Sequence, residues 1–423
     1  MSTSDYKTDA LTAKDKLAEV SPTMCLAKWN QTSLHLPTGL TNSCYHPPLH
    51  KMDADAVKLN PAALHNTQEK LNQRQQMLQG EQPEGCSYCW NMEKTGEMSD
   101  RHYRSGEPWA MQDFEDIRKN PIDEHWTPRY VEVNFNNACN LKCSYCSPQF
   151  STTWGKEIDR YGQYPTSPPH NAPEHFQGRR KPIPNREDNP YVTAFWKWWP
   201  TLYKNLKHFR MTGGEPMMDV NTYKVLQYIT DHPKKDLHLN VTSNMCPADK
   251  KLKEKYFNMT KHICMEEKVE HLMQFVSVDA WGKQAEYIRN GLDFNYMMDN
   301  VEEFLERIPV RNSITFICTY NNLSITSMDK LLEKILELRK KYSKTYQRIW
   351  FDVPLLRQPA WQQITLLPAS YQSIHEDNIK YMQDNSGEEN GLHIFKDFEI
   401  QKLSLIHISE PTRLLSISYA VFC

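Results

Sequence analysis

The chain has 423 residues, with 50 Lys and Arg against 52 Asp and Glu, a net charge of −2 and 11 cysteines. That balance excludes a nucleic-acid footprint spread over the whole surface, and the one basic cluster, "GRRK" at 178–181, reads as solvated surface. The first twenty residues lack the apolar core of a signal peptide and no long apolar span follows, so a membrane partner is not expected. Cysteines in such number without an export signal point to a reducing cytoplasm and to metal ligation in place of disulfides.

Taken in chain order, the N-terminal third (1–125) carries Cys25, Cys44, Cys86 and Cys89. Gly39 stands between the first pair, giving C-x13-G-x4-C, and the second pair is a CxxC. The first pair is spaced too widely for a zinc knuckle. "RYVEVNF" at 129–135 alternates as a strand, with Val131, Val133 and Phe135 on one face and Glu132 and Asn134 on the other. Directly after it, "NNACNLKCSYCSPQ" places Cys139, Cys143 and Cys146 within eight residues. Three thiols are incomplete for zinc, which wants four ligands, but suit an iron–sulfur cluster that keeps one iron free.

Residues 164–190 hold seven prolines, too many for a helix or a central strand. They read as a surface loop or as a lid over a substrate. "YVTAFWKWWPTLYKNL" (191–206) reads as an aromatic helix whose Trp196, Trp198 and Trp199 pack in a core or interface. Further strands are expected at 206–211, 237–242, 274–279, 314–319 and 348–353, with helical patterns at 222–229, 301–308 and 331–342. Six βα-type units in a row imply an α/β fold with a parallel sheet, open or curled into a partial barrel. Ligands in such folds gather at the C-terminal ends of the strands, where the cysteine run falls. Cys246, Cys264 and Cys318 form no spacing motif and read as small buried residues.

"CNLKCSYC" resembles the cluster loop of radical S-adenosylmethionine enzymes. The resemblance implies that Cys139, Cys143 and Cys146 hold three irons of a [4Fe–4S] cluster, that S-adenosylmethionine chelates the fourth, and that its reductive cleavage yields a 5′-deoxyadenosyl radical that abstracts a substrate hydrogen. Tyr145 matches the aromatic position beside the adenine. "MTGGEP" (211–216) is similar to the family's GGE motif, so Gly213, Gly214 and Glu215 are implied to meet the methionyl ammonium. "VTSNM" makes Asn244 a candidate contact, and "VSVDAWGKQAEYIRNG" makes Ser277, Asp279 and Arg289 candidates for the ribose and carboxylate. These matches follow the family's order over 126–360, implying a partial (βα)6 TIM-like barrel there.

The N-terminal cysteines resemble the opening of SPASM and twitch domains, auxiliary-cluster modules of peptide-modifying radical SAM enzymes. Cys25, Cys44, Cys86 and Cys89 would then ligate a second [4Fe–4S] cluster, with Gly39 turning a hairpin between two ligands; structural zinc and reduced free thiols stay open as readings. This module precedes the core, where such modules usually follow it, an arrangement similar to twitch-domain proteins of marine phages and environmental sequences. The implied substrate is a peptide or protein, and the implied electron source a flavodoxin- or ferredoxin-type donor. Radical modification of a nucleotide or small metabolite is the enzymatic alternative, and an idle metal-binding scaffold the other. Residues 361–402 read as the start of a truncated C-terminal region. "LSLIHISEPTR" and "ISYAVFC", within 403–423, match a translated transposase-type sequencing adapter, so Cys423 is not expected to be a ligand.

Overall fold

The computed structural model describes residues 3–164, 171, 178–387 and 391–406. Residues 165–170 and 172–177 of the proline-rich segment, and the stretch from 407 that carries most of the adapter match, therefore lie outside the described residues. Among those described, eleven strands are β1 (Gln31–His35), β2 (Leu40–Asn42), β3 (His50–Lys51), β4 (Tyr130–Asn134), β5 (Lys142–Cys143), β6 (His208–Thr212), β7 (Lys234–Ser243), β8 (Val269–Ser277), β9 (Arg289–Asn290), β10 (Asn312–Ile317) and β11 (Ile349–Asp352). The architecture is mixed α/β with parallel pairing. The chain forms two compact units: residues up to Asn136 with 178–210, and 137–164 with Asn171 and the chain from Met211 onward.

In the first unit β1 runs parallel to β4, from Gln31 opposite Tyr130 to His35 opposite Asn134. On its other edge β1 pairs antiparallel with β2 through a turn at Gly39, where φ is +62°. A Cβ on Gly39 would sit 2.2 Å from the Tyr191 ring, so both conformation and space demand glycine. The expected alternation of β4 is present, yet its polar face is buried as well. Parallel strands are covered on both faces, and the Glu132 carboxylate meets this by pairing with Arg210 Nη1 at 3.5 Å and accepting from the Tyr45 hydroxyl at 3.2 Å. The aromatic helix spans Pro190–Asn205, its first turn capped by Asn189 Oδ1. Trp198 and Trp199 are buried, Trp196 stacks on Phe135 at 6.1 Å, and Trp199 meets Phe209 at 4.8 Å, so these rings pack a core.

The second unit holds the parallel order β7-β8-β10-β11. Register places Ser243 beside Val276, Ser277 beside Ile317, and Ile317 beside Asp352, so the C-terminal strand ends form one level shelf. Helices Val220–Asp231, Lys250–Met265 and Phe294–Arg307 begin just after aspartates whose carboxylates accept from early backbone N–H groups: Asp219, Asp249 and Asp293. Helix Asp397–Ser404 is fastened to this unit by a buried Arg339–Glu399 pair at 2.6 Å. Among the described residues no helix is long and apolar enough to cross a membrane.

Candidate functional site

The cysteine loop is held by its own backbone and by the helix Thr152–Tyr161 that follows it. Ser151 caps that helix and also donates to the Leu141 carbonyl at 2.7 Å. The Cys139 carbonyl accepts from Thr153 Oγ1 at 2.7 Å, the Cys143 carbonyl from the Trp154 indole at 2.8 Å, and the Cys146 carbonyl from Asn171 Nδ2 at 2.9 Å. With these carbonyls engaged, all three cysteines line one pocket. Leu141, Phe150, Gly213, Gly214, Glu215, Thr242, Ser243, Asn244, Ser277 and Arg289 line the same pocket.

The GGE segment backs directly onto the cysteine loop. A Cβ on Gly214 would fall 2.3 Å from the Ala138 carbonyl oxygen, and the Glu215 N–H donates to that same oxygen at 2.6 Å. Gly213 takes a positive φ of 102°, a second reason for glycine here. The Glu215 carboxylate is buried and accepts from Met217 N at 3.0 Å, Ser243 Oγ at 2.8 Å and Asn244 N at 2.8 Å. Burial pushes its pKa up, and those three donors partly oppose the rise. In this state the carboxylate fastens the end of β7 to the GGE turn.

Asn244 continues the connection, giving Nδ2 to Asn140 Oδ1 at 3.1 Å, while Asn140 Nδ2 donates to the Cys246 carbonyl at 2.8 Å. Asn140 lies inside the cysteine run but escapes a motif reading, because its partners sit about a hundred residues away. Ser277 ends β8 on the strand shelf. Tyr145 and Asp279 are not among the pocket's lining residues. They join Arg289 in a buried cluster: Arg289 Nε lies 2.8 Å from Asp279 Oδ2, Arg289 Nη2 donates to the Tyr145 hydroxyl at 2.6 Å, and that hydroxyl donates to Asp279 at 2.8 Å.

The donor set fits a cluster better than a lone ion. Among the described residues no three His, Cys, Asp or Glu side chains converge on a single metal position. Three thiols spread around one pocket, opposite a glycine turn and polar strand ends, suit a multi-iron group with a small molecule beside it.

In the first unit, Cys25, Cys44, Cys86 and Cys89 line one pocket together with Lys28, His46, Asp100, Arg101 and Arg104. The hairpin turned by Gly39 lies between Cys25 and Cys44. Burial pushes the Cys44 thiol up to about 12 and raises Cys25, whose rise is added to by Cys86 and opposed by Arg101 and Lys28. The flanking cations had no signal in the cysteine spacing.

No family model matches the chain, and no curated protein matches it. Among solved structures it is similar to native anSMEcpe with bound AdoMet and Cp18Cys peptide, at 13% identity over 60% of each chain with a TM-score of 0.35. It is similar also to SuiB from Streptococcus suis, at 12% identity over 87% of this chain and 70% of that one, TM-score 0.38. The chain thus spans about 60% of the length of the anSMEcpe chains it matches. At that level of likeness the comparison carries no argument about chemistry, which rests on the site's own residues.

Proposed function

We propose that this chain is a radical S-adenosylmethionine enzyme in which Cys139, Cys143 and Cys146 hold a [4Fe–4S] cluster. The observation that supports this most directly is the single pocket that gathers those thiols with Gly213, Gly214, Glu215, Asn244, Ser277 and Arg289. When bound, cluster and cofactor would supply reductive cleavage of the sulfonium and a carbon radical able to take a hydrogen atom. The chain's own residues do the remaining work. Gly214 lets the turn lie against the cysteine loop, Glu215 and Asn244 fix the strand ends around the cofactor, and Leu141 and Phe150 limit water. Tyr145 and Asp279 act with Arg289, and Ser277 offers its hydroxyl from the shelf.

In this reading 126–360 form the catalytic core as a partial barrel, and 1–125 a twitch-like module with a second cluster on Cys25, Cys44, Cys86 and Cys89. The substrate is a peptide or protein, a reading that rests on the module's resemblance, and the electron comes from a flavodoxin- or ferredoxin-type donor in the cytoplasm. Anaerobic reconstitution with S-adenosylmethionine and dithionite, scored for 5′-deoxyadenosine, is the test. Cys139→Ala, Cys143→Ala and Cys146→Ala should each abolish the product, and full cleavage by the Cys143 variant would sink the mechanism.

A further inference from the structure

Strand β9 pairs antiparallel with β5, and the register sets Arg289 directly opposite Cys143. Side chains of such a pair project to the same face and lie within reach of one another. Arg289 uses that position: its Nη1 donates toward the Cys143 sulfur at 3.5 Å, and the side chain is 4% exposed. The other guanidinium nitrogens are spoken for. Nε lies 2.8 Å from Asp279 Oδ2, and Nη2 donates to Asp279 Oδ1 at 3.1 Å and to the Tyr145 hydroxyl at 2.6 Å. Asp279 is in turn fixed by the Thr319 N–H at 3.0 Å and by the Tyr145 hydroxyl at 2.8 Å. A planar fork hydrogen-bonded twice through Nη2, with its Nε edge ion-paired to Asp279, turns Nη1 toward the sulfur.

We propose that Arg289 is a positioning and tuning residue for the cluster: its guanidinium donates an N–H to the Cys143 thiolate, and Asp279 and Tyr145 lock that orientation. This rests on Cys143 being a cluster ligand, and it differs from the sequence expectation that Arg289 and Asp279 contact the ribose and carboxylate of S-adenosylmethionine. Hydrogen bonds to ligating sulfurs are among the factors that set cluster potentials. A buried cation at the sulfur stabilises the reduced, more negative cluster, because little solvent screens it. Removing Arg289 therefore makes the cluster harder to reduce. Asp279 and Tyr145 act through Arg289 and touch no reacting atom.

The test uses the full chain, reconstituted anaerobically and carrying ¹⁵N-labelled arginine, with pulsed EPR on the reduced core cluster. Wild type should show ¹⁵N coupling, and Arg289→Gln should lose it. Asp279→Asn should weaken or abolish it while iron content stays at the wild-type level. In redox titrations Arg289→Gln should shift the core midpoint to more negative values, and Arg289→Lys, which keeps the charge, should recover part of that shift. Absence of ¹⁵N coupling in wild type, full coupling in Asp279→Asn, or an unmoved midpoint in Arg289→Gln overturns the proposal. The wild-type coupling decides the matter even if a variant takes up no iron. Failure of wild type to assemble any cluster on the three cysteines would instead overturn the reading of the site, and this proposal with it.

Discussion

Gly214→Ala is the sharpest probe of how the site is assembled. Gly214 is not at positive φ, so alanine can adopt its backbone and the perturbation is purely steric. The new Cβ would stand 2.3 Å from the Ala138 oxygen, 2.8 Å from the Asn137 carbonyl carbon and 2.9 Å from that of Ala138. All three atoms are backbone, so no side chain can swing away, and the cysteine loop must retreat by about 1 Å to reach ordinary contact distance. Overpacking of this kind costs ~1–3 kcal/mol. The retreat also stretches the Glu215 N–H bond to Ala138, 2.6 Å in the native chain, which adds about 1 kcal/mol. A total of about 2–4 kcal/mol in a unit of this size lowers Tm by roughly 5–15 °C. Circular-dichroism melts would read that loss, and iron content after reconstitution would show whether the displaced loop still holds a cluster. Melting within 1 °C of wild type with full iron loading would refute the contact argument.

Iron and sulfide analysis should indicate two [4Fe–4S] clusters in the intact chain and one after Cys86→Ala with Cys89→Ala; stoichiometric zinc with iron for one cluster would reject the second. Burial lowers His35 and His271 to about 4, so each adds stability that is complete above about 6.5 and is lost as pH falls toward 4, by up to about 1.4 kcal/mol per pH unit. Asp219, raised to about 6 by burial, works in the opposite sense below that pH and offsets part of one histidine. Denaturant midpoints should therefore fall between pH 6.5 and 4, and His35→Gln should flatten the slope; an unchanged slope would contradict this. Glu399→Gln strands the fully buried Arg339 and should cost about 3–5 kcal/mol in chemical denaturation, a loss under 1 kcal/mol being the contrary result.

That the cysteine run and the GGE turn would stand at the strand ends was legible because each is a short motif directly after a strand. The strands were legible too: 206–211 was expected and β6 covers His208–Thr212, and 314–319 was expected where β10 covers Asn312–Ile317. What escaped is pairwise and distant. Asn140 reads as filler between cysteines until Asn244 and Cys246 arrive beside it. Tyr145, Asp279 and Arg289 were each expected as ligand contacts; that they also bond one another is visible only once β5 and β9 pair. The alternating pattern of β4 gave no sign that Arg210 and Tyr45 would cover its polar face. Helix Lys250–Met265 was also missed, its lysine-rich first turns masking the buried face of Tyr256, Phe257, Thr260 and Ile263.

The parallel pairing of β1 with β4 has a consequence for how the chain comes into being. Gln31 and Tyr130 meet in register although 99 residues separate them. During synthesis the β1–β2 hairpin can close at once, but its outer edge must wait for β4 with its backbone groups unmet. All four N-terminal cysteines have emerged before β4 arrives, since Cys89 precedes it by some forty residues. A cluster or ion captured by them would pin the hairpin while its edge is still open, and so guard a nascent strand against pairing with another chain. Metal delivery would then govern the yield of folded protein, and iron starvation would show first as aggregation.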